Sequence, residues 1–242
     1  MGDLDTFWKS VLSQSCRKGR LTLNKKFIID DKFQKLLCIQ RHSCRGNRQK
    51  VKKFDGEDLY KDLNIIYDMF EEHLPKHVSN MLDVGCGLGY IDVVINDRLD
   101  NPPNFYMFDA LDTLVSGEVK NFYSNLKLTR KFMSVHGVDE NNIFLVDASK
   151  TGTDHGINRD PECFSGLPKM DLVVSMYSWG WHFRIEKYIK EVSNVMRTGG
   201  LLVLEIKTPE STDETLINGH GFNLVDIVNR EKRRCLFIAR KL

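Results

Sequence analysis

From residue 56 onward, apolar residues fall in two alternating rhythms, one at helical spacing and one in short unbroken runs. Leu59, Leu63, Ile66, Tyr67 and Phe70 share one face of a 3.6-residue repeat that Pro75 ends, which predicts a helix over 56–74. Strand and helix then alternate. Strands are expected at 79–84, 105–108, 143–146, 172–176 and 201–206, with helices at 90–99, 111–136 and 184–196 between them. The stretch 150–168 has Gly and Pro with little periodicity and reads as a loop, and Gly199-Gly200 reads as a turn. Two further strands, 224–228 and 235–239, flank the polar run Asn229–Arg234 and predict a hairpin. Residues 1–53 are polar and basic, with short apolar groups such as Phe7-Trp8 and Phe27-Ile28-Ile29, and read as helical segments. The pattern is that of an α/β chain with a doubly wound, mostly parallel sheet.

One junction carries more than fold information. The first strand ends in Asp83-Val84-Gly85-Cys86-Gly87-Leu88-Gly89 and passes directly into a helix. Glycine at every second position lets the backbone turn sharply and approach a ligand closely. The next strand ends in Asp109, twenty residues after Gly89. A nucleoside-binding α/β unit places an acid there to hold ribose hydroxyls. The spacing is G-x-G-x-G, whereas the dinucleotide fingerprint is G-x-G-x-x-G. A nicotinamide or flavin site and a turn without a ligand remain the alternatives.

Asp83-Val84-Gly85-Cys86-Gly87-Leu88-Gly89 resembles the first motif of class I S-adenosyl-L-methionine (SAM)-dependent methyltransferases, and the likeness runs over about 57–242. That resemblance implies a seven-stranded sheet closed by a C-terminal antiparallel hairpin. It implies SAM as cofactor, with Asp83 orienting the methionyl ammonium and Asp147 accepting from the adenine amino group. The expected cofactor set is Asp83, Gly85, Cys86, Gly87, Gly89, Asp109, Ala110, Asp147, Ala148 and Ser175. Asp171 matches a family acid but stands at the amino end of its strand, more than about 10 Å from the reacting edge at roughly 3.3 Å per residue. A structural role is expected for it.

Ser175-Met176-Tyr177-Ser178-Trp179-Gly180-Trp181-His182 follows the fourth strand and resembles a run found in bacterial and phage methyltransferases, some of them sugar methyltransferases. In the family arrangement this loop faces the transferred methyl group. Aromatic rings there exclude water and attract a sulfonium. His182 is the expected base, because imidazole accepts a proton near neutrality. A histidine bonded to a backbone carbonyl is the alternative. Tyr177 and Glu205 complete the expected catalytic group, and Trp179, Trp181 and Lys207 the acceptor contacts. His73, His77, His136, His155 and His220 read as solvated or capping residues.

Composition and charge change this picture in two places. Residues 1–62 hold 15 Lys+Arg against 8 Asp+Glu, while 63–242 hold 20 against 25, so a net charge of +2 hides a basic front. A basic extension over 1–56 is expected to serve as a lid over a small polar acceptor with a sugar-like hydroxyl. Its alternative is to track nucleic-acid phosphates. Against that alternative, neither the Asn/Asp-Pro-Pro-aromatic motif nor the Lys-Asp-Lys-Glu set of nucleic-acid methyltransferases is recognisable. A SAM-binding protein without catalysis is the non-enzymatic reading. The six cysteines are scattered, as expected for reduced cytoplasmic thiols, and Cys16, Cys38, His42 and Cys44 fit no common zinc spacing. No run approaches a membrane span and the acidic start is unlike a signal peptide. Neither a metal nor a membrane partner is expected.

Overall fold

The computed structural model describes Phe27 and residues 56–109, 126–148, 164–181, 183–229 and 234–242. Seven strands form one sheet: β1 (Asn80–Val84), β2 (Asn104–Asp109), β3 (Ile143–Asp147), β4 (Met170–Ser175), β5 (Met196–Ile206), β6 (Phe222–Asn229) and β7 (Cys235–Lys241). Their order is β3-β2-β1-β4-β5-β7-β6. β3, β2, β1, β4 and β5 run parallel, and β7 lies antiparallel to both β5 and β6. The strand order reverses between β1 and β4, where open α/β sheets place ligands beyond the strands' carboxyl ends.

The unbroken apolar runs follow from burial on both faces. Every residue of β1 and of β4 is buried, and successive side chains feed opposite cores. Met81, Leu172, Val174, Leu201 and Val203 join the core under α1 (Gly56–Phe70), α2 (Tyr90–Arg98) and α3 (Leu126–Val135). Leu82, Val84, Val173, Leu202 and Leu204 enter the other core, with Ile189 and Val192 of α4 (Ile189–Val195) and Ile217 of α5 (Asp213–Gly219). Phe27 enters the first core, where its ring meets Tyr60, Tyr90, Phe132 and His136 at 5.2–5.5 Å.

Three expectations shift. The helix expected at 184–196 is a 3-10 turn, Ile185–Lys187, followed by α4, and β5 begins already at Met196. Gly199 and Gly200 lie inside that strand: Met170 pairs with Met196 and Leu172 with Leu201, so the glycines form a bulge. Helix α5 was not expected, because its DETLING sequence offers little apolar periodicity. Of the helix expected at 111–136 the described part is Leu126–Val135; 110–125 lie outside the described residues, as do 149–163 of the expected loop. The N-terminal cysteines and most of residues 1–55 also lie outside them. No helix among the described residues is long and apolar enough to cross a membrane.

Candidate active site

The glycine turn is held from below by β2. Gly85 and Cys86 both donate their N–H to the Phe108 carbonyl, at 2.8 and 3.2 Å, and Gly87 donates to Asp109 Oδ2 at 2.9 Å. Thr129 of α3 donates its hydroxyl to the Gly87 carbonyl. Gly85 (φ 76°) and Gly89 (φ 77°) are left-handed, and Gly89 is the N-cap residue just before α2. A Cβ at Gly85 would coincide with the Ser178 side chain, so the loop after β4 packs directly on the turn. Three N–H groups of the turn are thus spent inward, which makes it a poor phosphate cradle.

Its charge points the same way. Asp83 and Asp92 are 3% and 0% exposed, and among the described residues no hydrogen-bond partner reaches Asp83 Oδ1 or either oxygen of Asp92. Burial raises the Asp83 carboxyl well above the usual range, and the neighbouring Asp92 and Asp109 add to it. Burial likewise lifts Asp92, to about 7. Burial, then the same three acids, pushes the Cys86 thiol up, so it stays protonated. A pyrophosphate would be repelled here, whereas a cation would be welcomed. The orphaned Asp83 oxygen, the glycine turn and Asp109 at the adjoining strand end therefore fit an aminoacyl nucleoside such as SAM better than a dinucleotide. Asp147 pairs in register with Asp109, and Ala148 is buried beside it.

The loop after β4 is fixed to the end of β5. Tyr177 is the sole non-glycine with positive φ (60°) among the described residues, and it donates its N–H to Glu205 Oε2 at 3.3 Å. Gly180 donates to the Phe183 carbonyl at 2.9 Å and accepts from Lys207 N–H at 3.2 Å. A Cβ at Gly180 would lie 2.7 Å from the Glu205 carbonyl oxygen. The Trp181 ring meets Tyr177 edge-on at 5.1 Å and carries the Lys207 ammonium at 5.4 Å and the Arg234 guanidinium at 4.7 Å. Beside it opens a cleft of about 210 Å³ lined by Trp181, Phe183, Arg184, Ile206, Lys207, Thr208, Glu210 and Asp213. No residue of the glycine turn lines this cleft; the loop after β4 touches both, through Ser178 at Gly85 and through Gly180 and Trp181 at the cleft.

Not every expected side chain reaches this surface. Trp179 is fully buried and donates its indole N–H to the Ile185 carbonyl at 3.1 Å, so it supports the loop and is no acceptor contact. Ser175 is also fully buried. Its hydroxyl donates to the Val84 carbonyl at 2.6 Å and accepts from Trp179 N–H at 3.0 Å, so its side chain clamps β1 to the loop and is not free for a cofactor. Glu205 is 0% exposed and anchors Tyr177 from within the sheet. Asp171 accepts from the backbone of Ser79 and Asn80 and pairs with Arg197 at 3.4 Å, at the far edge. His136 is not solvated: it is buried with Nδ1 2.7 Å from the Phe132 carbonyl. His182 and Ala110 lie outside the described residues. Sequence reasoning missed Asp92, whose signal was a charge flanked by Ile91, Val93 and Val94 in a helix that buries all of them.

No protein-family model matches the chain, and no curated protein matches it in sequence. Solved structures match it in fold. A crystal structure of a SAM-dependent methyltransferase from Clostridium acetobutylicum is 14% identical, with a TM-score of 0.54 over 87% of this chain and 99% of that one. Mitomycin 7-O-methyltransferase MmcR is 10% identical, with a TM-score of 0.53 over 97% and 67%. The cyclase SpnF is 12% identical, with a TM-score of 0.54 over 87% and 94%. At these identities the likeness establishes the fold, which is that of the class I methyltransferases. A cyclase among its bearers means that the reaction must be argued from the site.

Proposed function

We propose that this chain is a SAM-dependent methyltransferase acting on a small polar acceptor, through a hydroxyl of sugar-like character. The observation that carries the reading is the buried Asp83 Oδ1, without a hydrogen-bond partner among the described residues, beside a glycine turn whose N–H groups are spent inward, with Asp109 at the next strand end. Asp83, Gly85, Cys86, Gly87, Gly89, Asp109, Asp147 and Ala148 would hold the cofactor, with Ala110 beside them in sequence. When bound, SAM supplies an electrophilic methyl carbon on a sulfonium. The chain's own contribution is alignment, dryness and a proton acceptor.

Tyr177 and Trp181 wall the reacting side and exclude water, and Glu205 holds Tyr177 through its N–H. His182 takes the acceptor's hydroxyl proton. Trp181 and Lys207 bind the acceptor in the cleft, where an aromatic face and an ammonium suit a polar ring. A lid role for residues 1–56 belongs to this reading; of residues 1–55 the described one, Phe27, packs among Tyr60, Tyr90 and Phe132. The basic balance of residues 1–62 favours a second reading, an RNA acceptor gripped through its phosphates.

Transfer of a radiolabelled methyl group from SAM into a host-cell extract, separated by size with and without nuclease, tests both. Label in the small-molecule fraction is expected. Label in large nuclease-sensitive material would favour the RNA reading, and no incorporation into any fraction would refute methyl transfer.

A further inference from the structure

Trp181 is the meeting point of three hydrogen-bond donors brought by three separate parts of the fold. Its own Nε1–H is enclosed and has no acceptor among the described residues. The Lys207 ammonium, just past the end of β5, lies 5.4 Å from the ring centre and pairs with no carboxylate among the described residues. The Arg234 guanidinium, just before β7, lies 4.7 Å from a centre of the same ring system. Both cations are attracted by the indole but repel one another. Arg234 also belongs to a basic connection, since residues 229–234 hold four Lys+Arg against one Asp+Glu. The acids nearby are committed elsewhere. Glu186 and Glu210 both hold the Arg184 guanidinium, each at 3.1 Å. Asp213 accepts the Glu210 N–H at 2.7 Å, and the wholly buried Glu205 accepts the Tyr177 N–H. What Trp181 and Lys207 lack is an oxygen to receive their hydrogens.

We propose that Trp181 Nε1–H, Lys207 and Arg234 form an anion subsite of the acceptor cleft, and that the acceptor is a small phosphate-bearing molecule whose phosphate seats there. This rests on the acceptor reading of the cleft given above. Trp181 and Lys207 line the cleft, and Arg234 reaches the same indole. A neutral sugar hydroxyl would satisfy the indole N–H but leave the Lys207 charge unanswered. A phosphate monoester brings about two negative charges and three acceptor oxygens, enough for all three donors. At about 210 Å³ the cleft is smaller than the roughly 300–1,000 Å³ of drug-sized sites, so a single phosphorylated ring suits it. Lys207 and Arg234 then determine specificity: they hold the end of the acceptor that does not react, and this fixes the end that does.

The chain has three tryptophans, so nitrogen-15 NMR of the full-length protein gives three indole N–H resonances, which Trp181→Phe and Trp8→Phe assign. Inorganic phosphate is titrated in at constant ionic strength, with chloride making up the balance. The Trp181 resonance should move saturably as its N–H gains an acceptor. That of Trp179, which already donates to the Ile185 carbonyl, should stay in place and report an intact fold. Lys207→Gln and Arg234→Gln should each weaken phosphate binding at least about tenfold, the loss of one charged hydrogen bond. No saturable movement of the Trp181 resonance, equal movement with chloride, or unchanged affinity in either variant would overturn the proposal. Two further probes identify where the phosphate comes from. Glucose 6-phosphate should move the resonance at no higher concentration than inorganic phosphate, and glucose should not move it. Movement by glucose, or tighter Lys207-dependent movement by a short single-stranded RNA, would overturn the small phosphorylated acceptor. Calorimetric binding of S-adenosylhomocysteine is read separately. Phosphate bound without it would sustain the anion subsite and remove the methyl-transfer reading; S-adenosylhomocysteine bound without phosphate would keep that reading and overturn the subsite.

Discussion

Asp92→Asn should stabilise the unliganded protein at alkaline pH and progressively less as the pH falls. Burial raises the Asp92 carboxyl from 3.8 to about 7. For an acid raised in the folded state, the favourable contribution is complete below the unfolded carboxyl's range and is lost as pH rises through neutrality. At about 1.4 kcal/mol per pH unit, roughly three units make about 4 kcal/mol by pH 8.5, an upper bound that water reaching the turn would reduce to about 2. Asparagine carries no charge to bury, and its amide can donate to the orphaned Asp83 Oδ1. For a chain of this size each kcal/mol moves the melting temperature by about 2–4 °C. Thermal melts followed by circular dichroism should therefore show the variant at least about 4 °C above the unaltered protein at pH 8.5, and above it by roughly 40% of that shift at pH 5, where the unfolded carboxyl is already mostly ionised. Equal shifts at both pH values, or a loss of stability at pH 8.5, would refute the argument that a buried charge sits at this position.

Other substitutions separate the remaining roles. His182→Ala should leave SAM affinity intact and lower turnover at least about tenfold, the usual size of an acid–base contribution; unchanged turnover in a methyl-transfer assay would leave proximity to do the chemistry. Trp179→Ala should cost about 3–5 kcal/mol in chemical denaturation, because a fully buried indole leaves a cavity and orphans the Ile185 carbonyl. Asp109→Ala removes a charged acceptor from the turn and the ribose position, and should weaken SAM binding by about 10–100-fold in equilibrium dialysis.

What the sequence disclosed and what it hid have physical causes. β1 and β4 were legible because a strand buried on both faces must be apolar throughout, and the glycine turn because its left-handed positions bar most other residues. The start of β5 was not, since Gly199-Gly200 has the same signature in a bulge as in a turn. The two tryptophans of the loop were indistinguishable in sequence. A bridge between Trp179 and Phe183 turns one indole into the core, while Trp181 meets Lys207 and Arg234. Asp92 was hidden for a similar reason: an acid in the first turn of a helix ordinarily faces solvent and complements the dipole, and only packing shows that this one does not.

The most direct test of the central claim is equilibrium dialysis of the full-length chain against radiolabelled SAM, with Asp109→Ala in parallel. Saturable binding of one SAM per chain, weakened in the variant, is the predicted result. No saturable binding up to millimolar SAM, or identical binding by chain and variant, would contradict the assignment of Gly85–Gly89 and Asp109 as a cofactor site.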